Sequence, residues 1–482
     1  MADSLRNKTV KGVGWSAVEK FSGQGIQFIV TLIIANILTP KDFGLVGMMA
    51  VFISVAQALI DGGFSQALIR KQDRSEVDCC TVFYFNIIIS LILYGVLFLI
   101  APWVADFYNE PQLLNLMQVL CFIVVINSFG AIQRTLYTAT LNFKIQAKAS
   151  LFAAILSGVV GIILAYRHFG VWALVCQQLL NALFSVALFW WYSTWRPHLI
   201  FSWSSFRKLF AFGSNLMIST LINTIYGNIY QMVIGKIFSA TSLGHFSQAK
   251  HITNLPSANI TGILNRVIYP VLSSIQDDDK RLAKDYRQLL RTSAFIVFPM
   301  MCVLAAVSYP FINLVLGEKW LFTATLMIPL CFSLMWYPIH AINLDLLKVK
   351  GRSDLFLKLE IIKKIIGIAV LVISIPFGLQ FMCWMHIVSS LINLVINTYF
   401  TGRLINVGFF IQMKDLAPSL LSAIFIFVVS FNLDYLIHND IALIVIGVIL
   451  GAVLYMGIAY VFKFKELQYI KTIYRINNYN ER

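Results

Sequence analysis

The chain has 482 residues, 59% hydrophobic and only 12% charged, with a mean hydropathy of +0.78. Soluble domains carry about 25% charged residues, so this composition cannot cover a water-facing surface and lipid must be the solvent. The formal net charge of +15 would suggest nucleic acid in a soluble protein. Here the basic residues sit in short gaps between apolar runs, with no separable basic face bearing stacking aromatics, and no nucleic-acid partner is expected.

Apolar runs of about 20 residues, the length that crosses a bilayer's hydrocarbon core, predict helices over 12–37, 44–69, 79–105, 113–137, 146–166 and 171–193. A second series is predicted over 207–236, 247–275, 288–316, 321–347, 355–376, 378–400, 416–435 and 440–462. The fold class is therefore an all-α membrane protein of about 14 transmembrane helices. The first run is longer than a signal-peptide core and lacks a small-residue cleavage site, so it reads as a retained helix. Pro40, within the Leu38–Phe43 gap, suits a tight interhelical turn. The seven cysteines show neither metal-ligand spacing nor a paired framework and read as packing residues. No metal and no cofactor are expected.

Charge alternation sets orientation. With the N-terminus inside, alternate gaps hold Arg6, Lys8 and Lys11; Arg70, Lys71 and Arg74; Lys144 and Lys148; and so on to Lys463, Lys465, Lys471, Arg475 and Arg482, about 27 basic residues. The other gaps hold Lys41, Arg167, Lys236 and Lys319. A wrong span count would scramble this pattern, so both termini are placed in the cytoplasm. The outside gaps are short and lack paired carboxylates suited to acid–base work. No Gly-Lys-Ser/Thr phosphate loop is present. An enzyme is not expected, and function must lie between the helices.

An internal repeat is visible at an offset of 200: Ala35–Gly44 lies over Gly235–Gly244, and Gly62 over Gly262. Polar stripes keep phase with it. Lys20, Gly23, Gln27 and Thr31 share a face of the first helix, as Thr220, Asn223, Gly227 and Gln231 do on the seventh. Two pseudo-symmetric six-helix lobes, 1–200 and 201–402, would then enclose a cavity, as in alternating-access transporters. Two further helices and a cytoplasmic tail, 403–482, would follow.

Ionisable residues at membrane depth are costly and mark cavities or partners. Candidates are Glu19, Lys20, Asp61, Arg134, Lys250, Arg266, Asp345, and Glu360 with Lys363 and Lys364. Lys250, Asn254, Ser257, Thr261 and Asn265 form one polar stripe on the eighth helix, beside a second of Asn259, Gly262 and Arg266. Lys250 and Arg134 either line a cavity or snorkel to the headgroups. Glu360 reads as pairing with Lys364 along one helix face, and Asp345 as structural. Asp61, before Gly62–Gly63, either kinks its helix or binds a coupling ion, and Glu19 is the other coupling candidate. The substrate-binding candidates are Lys20, Gln27, Asn223, Lys250, Asn259 and Arg266. Their excess positive charge points to an anionic cargo such as a phosphate-bearing headgroup.

Leu38-Thr39-Pro40-Lys41-Asp42-Phe43-Gly44-Leu45 resembles the signature joining the first two helices of the polysaccharide transporter family. Asp61-Gly62-Gly63-Phe64, Leu243 to Ala249, Tyr269 to Gln276 and Leu316-Gly317-Glu318-Lys319-Trp320 fit in order over nearly the whole chain. That family belongs to the superfamily of multidrug and toxin extrusion (MATE) transporters and peptidoglycan lipid flippases. The resemblance implies a two-lobed, V-shaped bundle exporting polyprenyl-pyrophosphate-linked oligosaccharide for O-antigen, capsule or exopolysaccharide across the bacterial inner membrane. Its implied partners are that lipid-linked glycan, membrane lipids, and the polysaccharide polymerase and chain-length machinery. Relatives hold the pyrophosphate with basic cavity residues, a role carried over to Lys20 and Arg266; Glu19 beside Lys20 departs from a purely cationic cavity. The alternative is a MATE-like ion-coupled multidrug antiporter, which would want a carboxylate-rich cavity.

Overall fold

The computed structural model describes residues 23–61, 63–71 and 73–467, without the side chains at 61, 263–267 and 270. The described residues contain no strand. The helices are α1 (Gly23–Ile37), α2 (Pro40–Asp61), α3 (Phe64–Arg70), α4 (Glu76–Tyr108), α5 (Leu113–Leu120) and α6 (Ile123–Ala139). They continue with α7 (Phe143–Tyr166), α8 (Val171–Tyr192), α9 (Trp203–Ile237), α10 (Ala240–Ser274), α11 (Asp279–Ala306) and α12 (Ser308–Leu316). The last are α13 (Leu321–Leu334), α14 (Tyr337–Val349), α15 (Ser353–Ser374), α16 (Leu379–Ile405), α17 (Phe409–Phe431) and α18 (Asp440–Val461). Among the described residues, 11 helical stretches are long and apolar enough to cross a membrane. The chain is a multi-pass membrane protein. The other three expected spans, in α1, α10 and α15, are helical but fall outside that count. Exposed apolar residues such as Leu99 and Val453 follow from the same cause: with lipid as solvent, an outward leucine costs nothing.

Four runs expected to be continuous are broken, after Asp61, at Cys121–Phe122, at Val307 and at Met335–Trp336. Two breaks have a proline cause. Pro310 and Pro338 lack the N–H that would reach the carbonyls of Ala306 and Leu334, so the helix restarts just before each. At Cys121–Phe122 the backbone tightens instead: the Phe122 N–H donates to Val119 O, and the Gln118 carbonyl accepts from Tyr94 Oη at 3.0 Å. A carbonyl freed inside a membrane must find a donor.

The molecule divides into two compact units, residues 1–247 and 248–482. In the first, α2 opens with a capping box: the Thr39 N–H donates to Asp42 Oδ2 at 2.9 Å and the Asp42 N–H to Thr39 Oγ1 at 3.4 Å, with Pro40 at the first helical position. The start of α10 repeats this cap 200 residues later, the Ser242 N–H donating to Ser239 Oγ at 3.0 Å. The two helix starts also meet. A Cβ on Gly44 would overlap the carbonyl of Ala240, and one on Gly244 would overlap the carbonyl of Pro40. Repeat-equivalent positions thus make reciprocal contacts, the pattern of a two-fold axis, and glycine lets the backbones approach that closely. The same unit packs α1 against α7 and α8 through Val30, Ile34, Ala165 and Leu174. Asp78 joins α4 to the α9 start, accepting from Lys71 Nζ (2.6 Å), the Ser75 N–H (2.8 Å) and Ser205 Oγ (2.5 Å). The hydrogen bond to Asp78 raises the pKa of Lys71.

In the second unit, α11, α13, α14, α16 and α17 share a core that includes Tyr286, Phe298, Trp336 and Leu394. One buried polar network crosses this core. Gln412 Nε2 donates to Thr401 Oγ1 (2.9 Å) and lies within 3.2 Å of Tyr286 Oη and Asn343 Oδ1, while Asn343 Nδ2 donates back to Gln412 Oε1. In a medium without competing water such pairs fix helix register.

Candidate site at the α13–α14 break

The second unit's broken helix gathers a polar cluster at membrane depth. Pro338 leaves the Leu334 carbonyl without a helical donor, and Ser257 Oγ, on α10, donates to it at 2.8 Å. The neighbouring Ser333 carbonyl accepts from Ser390 Oγ of α16 at 3.3 Å. Two histidines flank these contacts. His386 Nδ1 lies 2.5 Å from Ser333 Oγ, and His340 Nε2 lies 3.0 Å from Ser390 Oγ. Asn397 Nδ2, a donor only, is 3.2 Å from His340 Nδ1. That contact makes Nδ1 the acceptor and puts the proton of neutral His340 on Nε2, directed at Ser390, whose own proton goes to the Ser333 carbonyl.

Cationic groups border the cluster. Lys250, largely buried on α10, acts electrostatically on His386, and Lys363 of α15 acts on His340. Lys363 Nζ is also paired with Glu360 Oε1 at 2.5 Å. The ensemble is a broken helix ringed by two lysines, two histidines, hydroxyls and one carboxylate. With two lysines against one carboxylate, the surplus positive charge in a setting of low polarity favours an anion.

The sequence candidates divide. Lys250 belongs to the cluster, and Asn259 is buried further along the same helix. Gln27 is half-buried on α1, its carbonyl accepting from Thr31 Oγ1 at 2.7 Å. Asn223 is exposed on α9. Glu19 and Lys20 lie outside the described residues, as do the side chains of Asp61 and Arg266. Asp345 pairs with Lys348 at 2.9 Å. Glu360 pairs with Lys363 rather than the expected Lys364, since the i,i+3 geometry reaches it first. His340, His386, Ser333, Ser390 and Asn397 were missed. Weighing only Asp, Glu, Lys and Arg passes over neutral histidines, yet two His residues in apolar runs, one of them two residues after Pro338, are a readable signal.

Membrane-length helices, several of them interrupted, with a buried polar cluster at one interruption, define a transporter of the broken-helix type. A family model described as polysaccharide biosynthesis protein matches residues 33–325, more than half the chain. The chain belongs to that family. It is 25% identical over 460 residues to the teichuronic acid biosynthesis protein TuaB of Bacillus subtilis, covering 94% of this chain and 95% of the relative. It is 28% identical to the lipopolysaccharide biosynthesis protein WzxC of Escherichia coli over 77% of this chain and 76% of the relative. The succinoglycan biosynthesis transport protein ExoT of Rhizobium meliloti is 25% identical, with 94% and 93% covered. Among solved structures, the lipid II flippase MurJ in an inward closed conformation superposes with a TM-score of 0.76 at 15% identity, over 93% of this chain and 98% of that one. An inward-facing MATE family multidrug transporter gives 0.63 at 16% identity, over 81% and 98%. The fold is of the MurJ and MATE type.

Proposed function

We propose that this protein is a flippase that moves polyprenyl-pyrophosphate-linked oligosaccharide across the bacterial inner membrane by alternating access, for O-antigen, capsule or exopolysaccharide assembly. The observation that carries the reading is the match, over most of their lengths, to relatives named for polysaccharide biosynthesis and transport. The cationic cluster at the α13–α14 break supports it, because a pyrophosphate is the charged part of such a cargo and needs desolvated donors. The lipid tail stays in the bilayer while the sugar–pyrophosphate head crosses between a lobe of residues 1–200 and a lobe of 201–402, with 403–482 appended and both termini cytoplasmic. Lys250, Lys20 and Arg266 hold the pyrophosphate, with Gln27, Asn223 and Asn259 lining its path. Glu19 and Asp61 are the coupling-ion candidates. The protein transports rather than catalyses, and hands its cargo to polymerase and chain-length machinery.

Deleting the gene in a strain without a redundant flippase tests the reading. Undecaprenyl-linked glycan is expected to accumulate on the cytoplasmic face; normal arrival at the periplasmic face, or a change confined to drug susceptibility, would refute it, the second outcome favouring the antiporter.

A further inference from the structure

The second unit holds a cleft of about 1080 Å³ that takes no part in the cluster at the α13–α14 break; it lies between the start of α11, the first half of α17 and the end of α18. All three helix ends lie on the side that charge alternation assigns to the cytoplasm. The cleft has two chemically distinct ends. One is lined, among the described residues, by Arg287, Arg291, Lys414, Lys463 and Lys465 and by the two carboxylates Asp415 and Glu466. The other is apolar and turned outward: Leu421, Phe425 and Phe462 are 66%, 52% and 72% exposed. Along α17 the lining runs from Ile411 to Phe425, about 21 Å at 1.5 Å per residue. That length reaches from headgroup level well into the acyl-chain region.

Ion pairing inside the cleft is incomplete. Asp415 takes Arg287 Nε at 2.6 Å and Arg291 Nη1 at 3.3 Å. Arg291 Nε stands 3.4 Å from Glu466 Oε1, an ion-pair distance, but its geometry leaves that buried N–H without a hydrogen bond. Lys414, Lys463 and Lys465 are exposed and form no ion pair among the described residues. The rim therefore carries an excess of positive charge, and one buried donor awaits an oxygen.

We infer that this cleft binds one acidic glycerophospholipid of the cytoplasmic leaflet, its phosphate among Lys414, Lys465 and Arg291 and its acyl chains along Leu421, Phe425 and Phe462. A bilayer phospholipid fits better than the transported lipid because the apolar wall opens outward, where bulk lipid is the neighbour. Anionic lipids are drawn to basic groups at this depth by about fivefold per Lys or Arg.

The experiment titrates the purified full-length protein in detergent with palmitoyl-oleoyl phosphatidylglycerol or phosphatidylcholine and counts bound lipid by native mass spectrometry. One phosphatidylglycerol is expected to bind at least about tenfold more tightly than phosphatidylcholine. Joint Lys414→Gln and Lys465→Gln substitution should weaken it about 25-fold, at about fivefold per lysine, and Lys414→Arg with Lys465→Arg should restore it. Equal affinity for the two lipids, or an unchanged preference in the glutamine variant, overturns the inference. So does one-for-one displacement of phosphatidylglycerol by undecaprenyl pyrophosphate, which would make the cleft part of the transport path. As an independent reading, Phe425→Trp should be quenched by phosphatidylglycerol brominated on its acyl chains; no quenching beyond that of the parent protein also overturns it. None of these measurements depends on which glycan is exported.

Discussion

At the scale of single residues, Pro338 and Ser257 make one device. The proline withholds a backbone donor from Leu334, and a serine on another helix supplies the replacement at 2.8 Å. Hydrogen bonds between membrane helices average about 0.6 kcal/mol, whereas a buried carbonyl left without any donor costs about 1–3 kcal/mol. Ser257→Ala belongs to the second case and is expected to destabilise by about 1 kcal/mol or more, measured as a lower melting temperature in detergent, while Ser257→Thr should retain most of it. Lys250 is argued on function rather than stability. Lys250→Gln should cut glycan export at least about tenfold, the loss of one desolvated charge pair, with membrane insertion intact, and Lys250→Arg should keep part of it. Arg266→Glu should abolish export because it reverses charge where the cargo is anionic. Surface glycan display against protein level in the membrane fraction checks both, and normal display would remove that residue from the site.

Elements were read with uneven success, and the reason is physical. Lipid requires long apolar helices, so their existence and order stand out in composition alone. Their interruptions do not, because a break at Cys121–Phe122 contains neither Gly nor Pro and depends on Tyr94, 24 residues before Gln118, to donate to the freed carbonyl. Breaks at Val307 and Met335–Trp336 carried a proline signal that hydropathy reading averages away. The repeat shows the opposite case. The short match over Ala35–Gly44 and Gly235–Gly244 is thin as sequence, yet the repeated caps and the reciprocal Gly44 and Gly244 contacts give it structural content. Either glycine changed to Val should disrupt the α2–α10 contact, since the overlap is with backbone carbonyls that cannot turn aside. The expected outcome is a loss of folded protein in the membrane fraction, larger than for Gly95→Val, where a Cβ meets nothing.

For the whole molecule, the proposed orientation rests on where lysine and arginine fall, since they resist transfer across the membrane. Single cysteines placed at Lys319 and at Lys350 in a cysteine-free background test it. A membrane-impermeant maleimide on intact spheroplasts should label the first and spare the second; the reverse would invert the topology. Sequence by itself determined the solvent, the helical class, the order of the spans and the family resemblance, because each is written in composition and local pattern. Only the tertiary structure decided which polar groups meet. Ser257, Ser333, His340, His386 and Asn397 span 140 residues of chain and converge because freed carbonyls and buried side chains must satisfy one another where water is absent.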